Sequence, residues 1–510
     1  MRWRPDRSQA AALLSGLLLA LAFPRPDLAS CAWFGLVPLL MFSGERPLRD
    51  GFVAGATFFA IVLYWLNIVM TTYGGLNPLL SVVAYLMLVA YLSLFIAGAV
   101  WGGFALRERF KLPLSLTLPV LWVGFEFLRS FLFSGFPWAT LGYSQQSHLA
   151  LIQSADLCGV YGISYLLVLA NTVLAGLLQA ARGRERALLP RWSLAALLLL
   201  FLGNLGYGQW RLGQDIDRRD TALETVLVQG NIDQSIKWDP AFQEATVEHY
   251  RDLSLQGAAG LTGALIIWPE SATPFYAQDP SPLQSLVHQV PRVTDSWLLF
   301  GSPAYERRNS GVRYLNSAFL LAPTGAVLGR SDKVHLVPFG EYVPLKSFFP
   351  FIDKLVVGIG DFSPGSVTPL RLNGHRLGVL VCFEGIFPEL ARDFVRKGSD
   401  LLVNITNDAW FGRSSAPFQH LAMTRFRAIE NRIWVARAAN TGVSALIAPS
   451  GRIPDQTEIF VSGFLRGRVG LGGGHAFYSR YGDILPGVCL ALSLAWFLLL
   501  LRRRYQRRPA

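Results

Sequence analysis

The sequence predicts a polytopic α-helical membrane domain into which a layered α/β domain is inserted. Three observations carry that prediction. The chain is 52% hydrophobic with only 16% charged residues, its apolar residues gather into runs on the scale of a bilayer, and after the seventh run the texture changes to short strands and turns. A soluble protein of 510 residues carries a larger charged fraction than this.

A hydrocarbon core of about 30 Å takes a helix of about 20 residues. Runs of that scale fall at 9–24, 28–44, 51–70, 77–106, 113–133, 159–180, 191–209 and 484–501, which predicts eight spans. The first begins like a secretory signal, with a small-x-small pattern at Ala20-Leu21-Ala22, but another apolar run follows at once and favours a retained anchor.

Lys and Arg flank the cytoplasmic ends of spans, and here they alternate with the runs. Arg2, Arg4 and Arg7 precede the first, Arg46 and Arg49 follow the second, and Arg107, Arg109 and Lys111 follow the fourth. Arg182, Arg184, Arg186 and Arg191 follow the sixth, and Arg502, Arg503, Arg504, Arg507 and Arg508 follow the last. The short loops opposite carry only Arg25. Both termini are therefore expected in the cytoplasm and residues 210–480 outside it. The formal charge of +12 resides in these flanks, while 210–480 is nearly neutral, so it is a topology signal and not a nucleic-acid footprint.

The chain thus divides into a membrane domain at 1–209, an extracytoplasmic domain at 210–480, and an eighth span with a basic tail at 481–510. In the middle section, strands are predicted at Thr225–Val228, Ala264–Trp268, Trp297–Gly301, Ser317–Ala322, Ala326–Arg330, Leu377–Cys382, Leu401–Thr406, Val435–Ala439 and Ser444–Ala448, each a short apolar run bounded by turn residues. Helical patterns lie between several of them, at 240–256, 281–290, 386–397 and 417–432. Strands alternating with helices over this length indicate a layered α/β domain.

Polar residues at strand ends then become informative, because ligand sites in such folds gather beyond the strands' carboxyl ends. "ALIIWPES" ends in Glu270, "GRSDKVHLVPFGEY" carries Lys333 and Glu341, and "LGVLVCFEG" carries Cys382 and Glu384. A carboxylate, an ammonium and a thiol together make a nucleophile, its base and a charge stabiliser. Alone, Cys382 reads as core packing and Glu270 and Lys333 as surface charges. The other cysteines, Cys31, Cys158 and Cys489, show no paired spacing, and His335 and His420 have no partner at ligand spacing, so neither a metal nor a cofactor is expected.

The ordered set WPES, DKVHLVPFGEYVP, VCFE, NDAWFG and NRIWVARAANTGVS resembles the nitrilase superfamily. With eight membrane runs around it, and with the loop "SGFPWATLGYSQ" at 134–145, the chain resembles that superfamily's membrane-embedded bacterial branch, the apolipoprotein N-acyltransferases. The resemblance implies an αββα sandwich with Glu270 as general base, Lys333 as stabiliser of the tetrahedral intermediate and Cys382 as nucleophile. It implies supporting roles for Trp238, Glu341 and Glu384, and for Phe383, which stands where many relatives have tyrosine. Trp410, Asn407, Trp138 and Tyr143 are added as candidate substrate contacts. Glu126 and Arg129, three apart in the fifth run, share a helix face and read as an ion pair facing the bundle or as charges snorkelling to the outer interface, with a functional role as the alternative. The apolar stretch 345–363 reads either as core or as a lid at the membrane surface.

The implied reaction moves an acyl chain from a membrane phospholipid through a Cys382 thioester to the α-amino group of a diacylglyceryl-cysteine lipoprotein, at the periplasmic side of a bacterial inner membrane. Two other readings stand beside it. A membrane-tethered amidase would use the same residues to hydrolyse a C–N bond, and a transporter or binding module would explain the spans alone.

Overall fold

The computed structural model describes residues 6–183, 190–309, 311–342 and 362–505. Among them the chain forms two compact units. One draws on Met1–Tyr64, Val82–Gln214 and Tyr481–Ala510, the other on Trp65–Ser81 and Asp215–Arg480.

Every apolar run of the sequence is helical, but the helices differ in reach. Pro78–Phe110, Ala155–Ala181, Arg191–Gly213 and Ile484–Arg502 are long and apolar enough to cross a membrane, and a fifth crossing results if Pro47–Val62 and Leu66–Tyr73, bent at their junction, count as one. The remaining runs correct the expectation of eight full-length helical spans. Arg7–Leu21 has 15 residues, Leu114–Arg129 has 16, and the second run breaks into the short helices Ala29–Trp33 and Val37–Phe42. At 1.5 Å per residue, 15 residues rise only about 23 Å. Prolines flank the first two of these helices, and proline donates no helix hydrogen bond. Pro24 and Pro26 follow the first helix, and Pro113 caps the start of the helix Leu114–Arg129.

In the other unit two mixed sheets stack. Strands β1 (Thr221–Gln229), β2 (Leu265–Ile267), β3 (Trp297–Arg308), β4 (Gly311–Leu321) and β5 (Val327–Asp332) precede β6 (Leu370–Leu372), β7 (His375–Val381), β8 (Leu401–Thr406), β9 (Val435–Ala439), β10 (Ala445–Ile447) and β11 (Gly463–Leu471). Among the described residues the first sheet has the order β11-β1-β2-β3-β4-β5 and the second β10-β9-β8-β7-β6. β1, β2 and β3 run parallel, as do β7, β8 and β9.

Side chains alternate across a strand, and burial follows that alternation. Leu227, Ile267, Leu299 and Leu320 of the first sheet share one core cluster with Val379, Val403 and Ala436 of the second. The opposite face of the first sheet, through Val226, Ile266, Leu298 and Phe319, packs on Val247 and Tyr250 of the helix Gln243–Gly257 and on Val287 and Val290 of the helix Pro282–Thr294. The helices Pro388–Arg396 and Ala416–Asn431 cover the second sheet. The order of layers is helix, sheet, sheet, helix.

β8 and β9 lie where the sequence placed them, and β3 and β4 extend further into a long antiparallel hairpin. β6 and β11 had no counterpart in the sequence reading. The stretch 345–363, read as core or lid, lies outside the described residues except for its last two.

Candidate active site

β7 is an apolar strand that ends in a sharp turn, and Cys382 sits at that turn with a left-handed φ of 54°. Such backbone costs an ordinary residue about 1–2 kcal/mol, so it persists only where surroundings hold it. Here the Asn404 Nδ2 donates to Leu380 O (2.9 Å) and Cys382 O (3.3 Å), and His420 Nε2 stands 3.1 Å from Cys382 O. A carbonyl only accepts, so His420 carries its proton on Nε2.

Glu270 follows β2 through Trp268-Pro269, and the main chain of β3 passes close behind it. A side chain at Gly301 would meet the Glu270 Cα at 2.7 Å, so only glycine admits this approach. One Glu270 oxygen accepts from Asn316 Nδ2 (2.8 Å) and lies 3.5 Å from Lys333 Nζ, while the other accepts from the Asn407 main-chain N–H (3.0 Å). Lys333, directly after β5 and 1% exposed, donates to Glu341 at 2.9 Å. Asn316 Nδ2 also donates to Glu341 (2.9 Å), so one amide joins both carboxylates.

Glu384 brings the lysine and cysteine segments together without touching the lysine amine in a hydrogen bond. Its carboxylate accepts from the main chain of Val334 (2.6 Å) and His335 (2.8 Å), next to Lys333, and from Val381 (2.7 Å), next to Cys382. It is a clamp between two strand ends.

A neighbouring lysine ordinarily favours a thiolate, but it does not prevail here. Burial raises the Cys382 thiol well above its ordinary value, Glu270 raises it further, and Lys333 only partly opposes them. Burial also works against the charge of Lys333, but Glu341 and Glu270 outweigh it and hold its pKa above the usual lysine value. Burial pushes Glu384 up to about 7 against its main-chain donors. The resting site is therefore a neutral thiol beside an ion cluster, which requires a base before the sulfur can attack.

Of the other sequence candidates, Asn407 lies in the cluster through its main-chain contact to Glu270, and its side chain donates to Gln234 at 2.6 Å. Phe383 packs edge-on to Phe387 at 5.2 Å between ring centres. Trp410 meets Tyr73 edge-on at 5.6 Å. Trp238 is 47% exposed, and its neighbour Lys237 is the buried residue, donating to the Glu270 main-chain oxygen at 3.2 Å. Trp138 and Tyr143 belong to the membrane unit, buried in its own loop; there Arg129 donates to Trp138 O (2.6 Å), and Glu126 accepts from the Leu141 N–H (2.8 Å) and Trp122 Nε1 (3.0 Å). Glu126 and Arg129 thus brace the 134–145 loop.

Sequence reasoning missed Asn316, Lys237 and a buried network under the cysteine. In that network Asp408 accepts from Arg437 Nη2 (2.7 Å) and Thr406 (2.8 Å) and lies 3.1 Å from His420 Nδ1. Burial opposes the Asp408 charge, but Arg437 and His420 overcome it and hold the carboxyl down at about 2.

Residues 15–173 match the sequence model of the apolipoprotein N-acyltransferase N-terminal domain, and residues 227–460 match that of carbon-nitrogen hydrolase. An apolipoprotein N-acyltransferase from Geobacter metallireducens is 49% identical over 98% of this chain and 96% of its own. The protein of that name from Methylococcus capsulatus is 35% identical over 98% and 97%, and that from Nitrosomonas europaea 36% over 87% and 86%. Among solved structures, an amidase from Nesterenkonia sp. is similar over 53% of this chain and 98% of its own, at 20% identity and a TM-score of 0.39.

Proposed function

This chain belongs to the apolipoprotein N-acyltransferase family, and from that premise we propose that it transfers an acyl chain from a membrane phospholipid to the α-amino group of a lipoprotein's diacylglyceryl-cysteine. It is a bacterial membrane enzyme. The observation that carries the reading is the buried cluster of Glu270, Lys333 and Glu341, clamped through Glu384 to the turn that bears Cys382.

In the first half-reaction Glu270 takes the thiol proton as the sulfur attacks the phospholipid ester carbonyl. Lys333 and the main-chain N–H after Cys382 stabilise the oxyanion. The ester C–O bond breaks, Glu270 returns the proton to the departing lysophospholipid oxygen, and the acyl chain stays on sulfur as a thioester. In the second half the lipoprotein amine attacks that thioester, and Glu270 carries the amine proton to the leaving thiolate. An amide forms and the thiol is restored. Asn316 and Glu341 hold the base and the lysine in register, and Phe383 serves through packing.

The acceptor is tested directly. Purified enzyme given phospholipid and a diacylated lipopeptide with a free amino terminus produces the triacylated peptide, and the same peptide with its amine acetylated yields none. Fatty acid released at the same rate with either peptide would replace the transferase with a hydrolase.

We further place both termini in the cytoplasm and residues 210–480 in the periplasm, on the strength of the arginine asymmetry. The full-length spans are joined by shorter helices that cross with the help of their flanking residues, giving eight passages. Single cysteines introduced at 215 and 475 react with an impermeant thiol reagent from outside, and one at 502 does not. Equal labelling at 215 and 502 from the same side overturns this topology.

A further inference from the structure

The site holds two buried lysines in different settings. Lys333 is committed to two carboxylates, Glu341 at 2.9 Å and Glu270 at 3.5 Å. When Glu270 takes the thiol proton its carboxylate is neutralised, and the negative charge passes to the sulfur and then to the carbonyl oxygen. Lys237 is 1% exposed, and its amine donates to one neutral group, the Glu270 main-chain oxygen at 3.2 Å. Among the described residues no carboxylate lies within ion-pair distance of it, and the titratable groups facing it are Glu270 and Cys382. An ammonium has three N–H bonds, and one is used.

We propose that Lys237 is a second cation of the site, stabilising through its place behind Glu270 the negative charge that develops at Cys382 and on the tetrahedral intermediate. This rests on the acyl-transfer reading and adds to it a second cation beside Lys333, which stays paired with Glu341 while Glu270 holds the proton. Burial brings Lys237 down to about 8, with Glu270 and Cys382 pulling the other way. Its charge is therefore present at neutral pH and lost in mildly alkaline solution. The alkaline limb of the pH profile then belongs to Lys237.

The test uses full-length enzyme in detergent with three forms: wild type, Lys237→Met and Lys237→Arg. Acyl-enzyme formation from phosphatidylethanolamine and alkylation of Cys382 by iodoacetamide are both followed from pH 6 to 10. Wild type loses acylation rate above pH about 8. Lys237→Met is slower by roughly 10²-fold at neutral pH, lacks that limb, and has its alkylation curve moved to higher pH. Lys237→Arg stays within about tenfold of wild type and keeps its rate to pH 10, because guanidinium does not titrate there. Wild type without the alkaline limb, or Lys237→Met with a reduced rate but unmoved acylation and alkylation profiles, overturns the proposal. If wild type forms no acyl-enzyme yet the alkylation curve still moves in Lys237→Met, the acyl-transfer reading falls and the cation stands.

Discussion

Replacing Cys382 with alanine lowers acyl transfer by roughly 10⁴-fold or more and leaves a folded, membrane-inserted protein. The expectation follows from how little else the sulfur does. The side chain is small, and the turn that carries it is fixed by Asn404, His420 and Glu384 through main-chain atoms that alanine retains. Serine does little better than alanine, because this site already disfavours a thiolate and an alkoxide is far harder to form. The loss is non-additive with that of Lys333→Met, since the two act on one charge. Comparing single and double variants in the lipopeptide assay, with circular dichroism as the folding control, checks both points. A Cys382→Ala enzyme that still transfers acyl chains removes covalent catalysis from the account.

Glu270→Gln is the second large loss, about 10³-fold at neutral pH. Burial and Glu270 together keep the Cys382 thiol protonated, so attack must wait for proton removal, and the amide cannot accept that proton. The substitution keeps the shape of the side chain, its single carbonyl oxygen accepts from either the Asn407 N–H or Asn316 Nδ2, and it removes a negative charge that holds the thiol protonated. The thiol pKa of this variant should therefore fall, and its residual rate should climb with pH as hydroxide replaces the missing base. A rate loss that is flat across pH would mean that Glu270 holds the site together without moving a proton.

Glu270, Lys333 and Cys382 were legible because each stands just beyond a strand, and Glu341 because it follows Lys333 in the same segment. Asn316 was hidden because it sits inside β4, where one polar residue in an alternating strand reads as the solvent face. Lys237 was hidden by the tryptophan beside it, since a lone loop lysine is normally solvated. β11 escaped notice because Gly463, Gly467, Gly470, Arg466 and Arg468 break its apolar pattern, although its register against β1 is continuous over nine residues. The apolar runs reported hydrophobicity faithfully but not helix length, and prolines at 24, 26 and 113 flank two of the shorter helices.

The same local logic reached the charges and missed their balance. A lysine near a cysteine suggests a thiolate, yet burial and Glu270 turn that sign around. Only the three-dimensional count of charges reveals it.

The central claim is that Cys382 carries the acyl chain between donor and acceptor. Intact-protein and peptide mass spectrometry of purified enzyme given phospholipid without lipopeptide tests it most directly. The protein gains the mass of one acyl chain, located on the peptide containing Cys382, released by neutral hydroxylamine and discharged by a lipopeptide with a free amine. Continuous release of free fatty acid with no adduct on that peptide would contradict it.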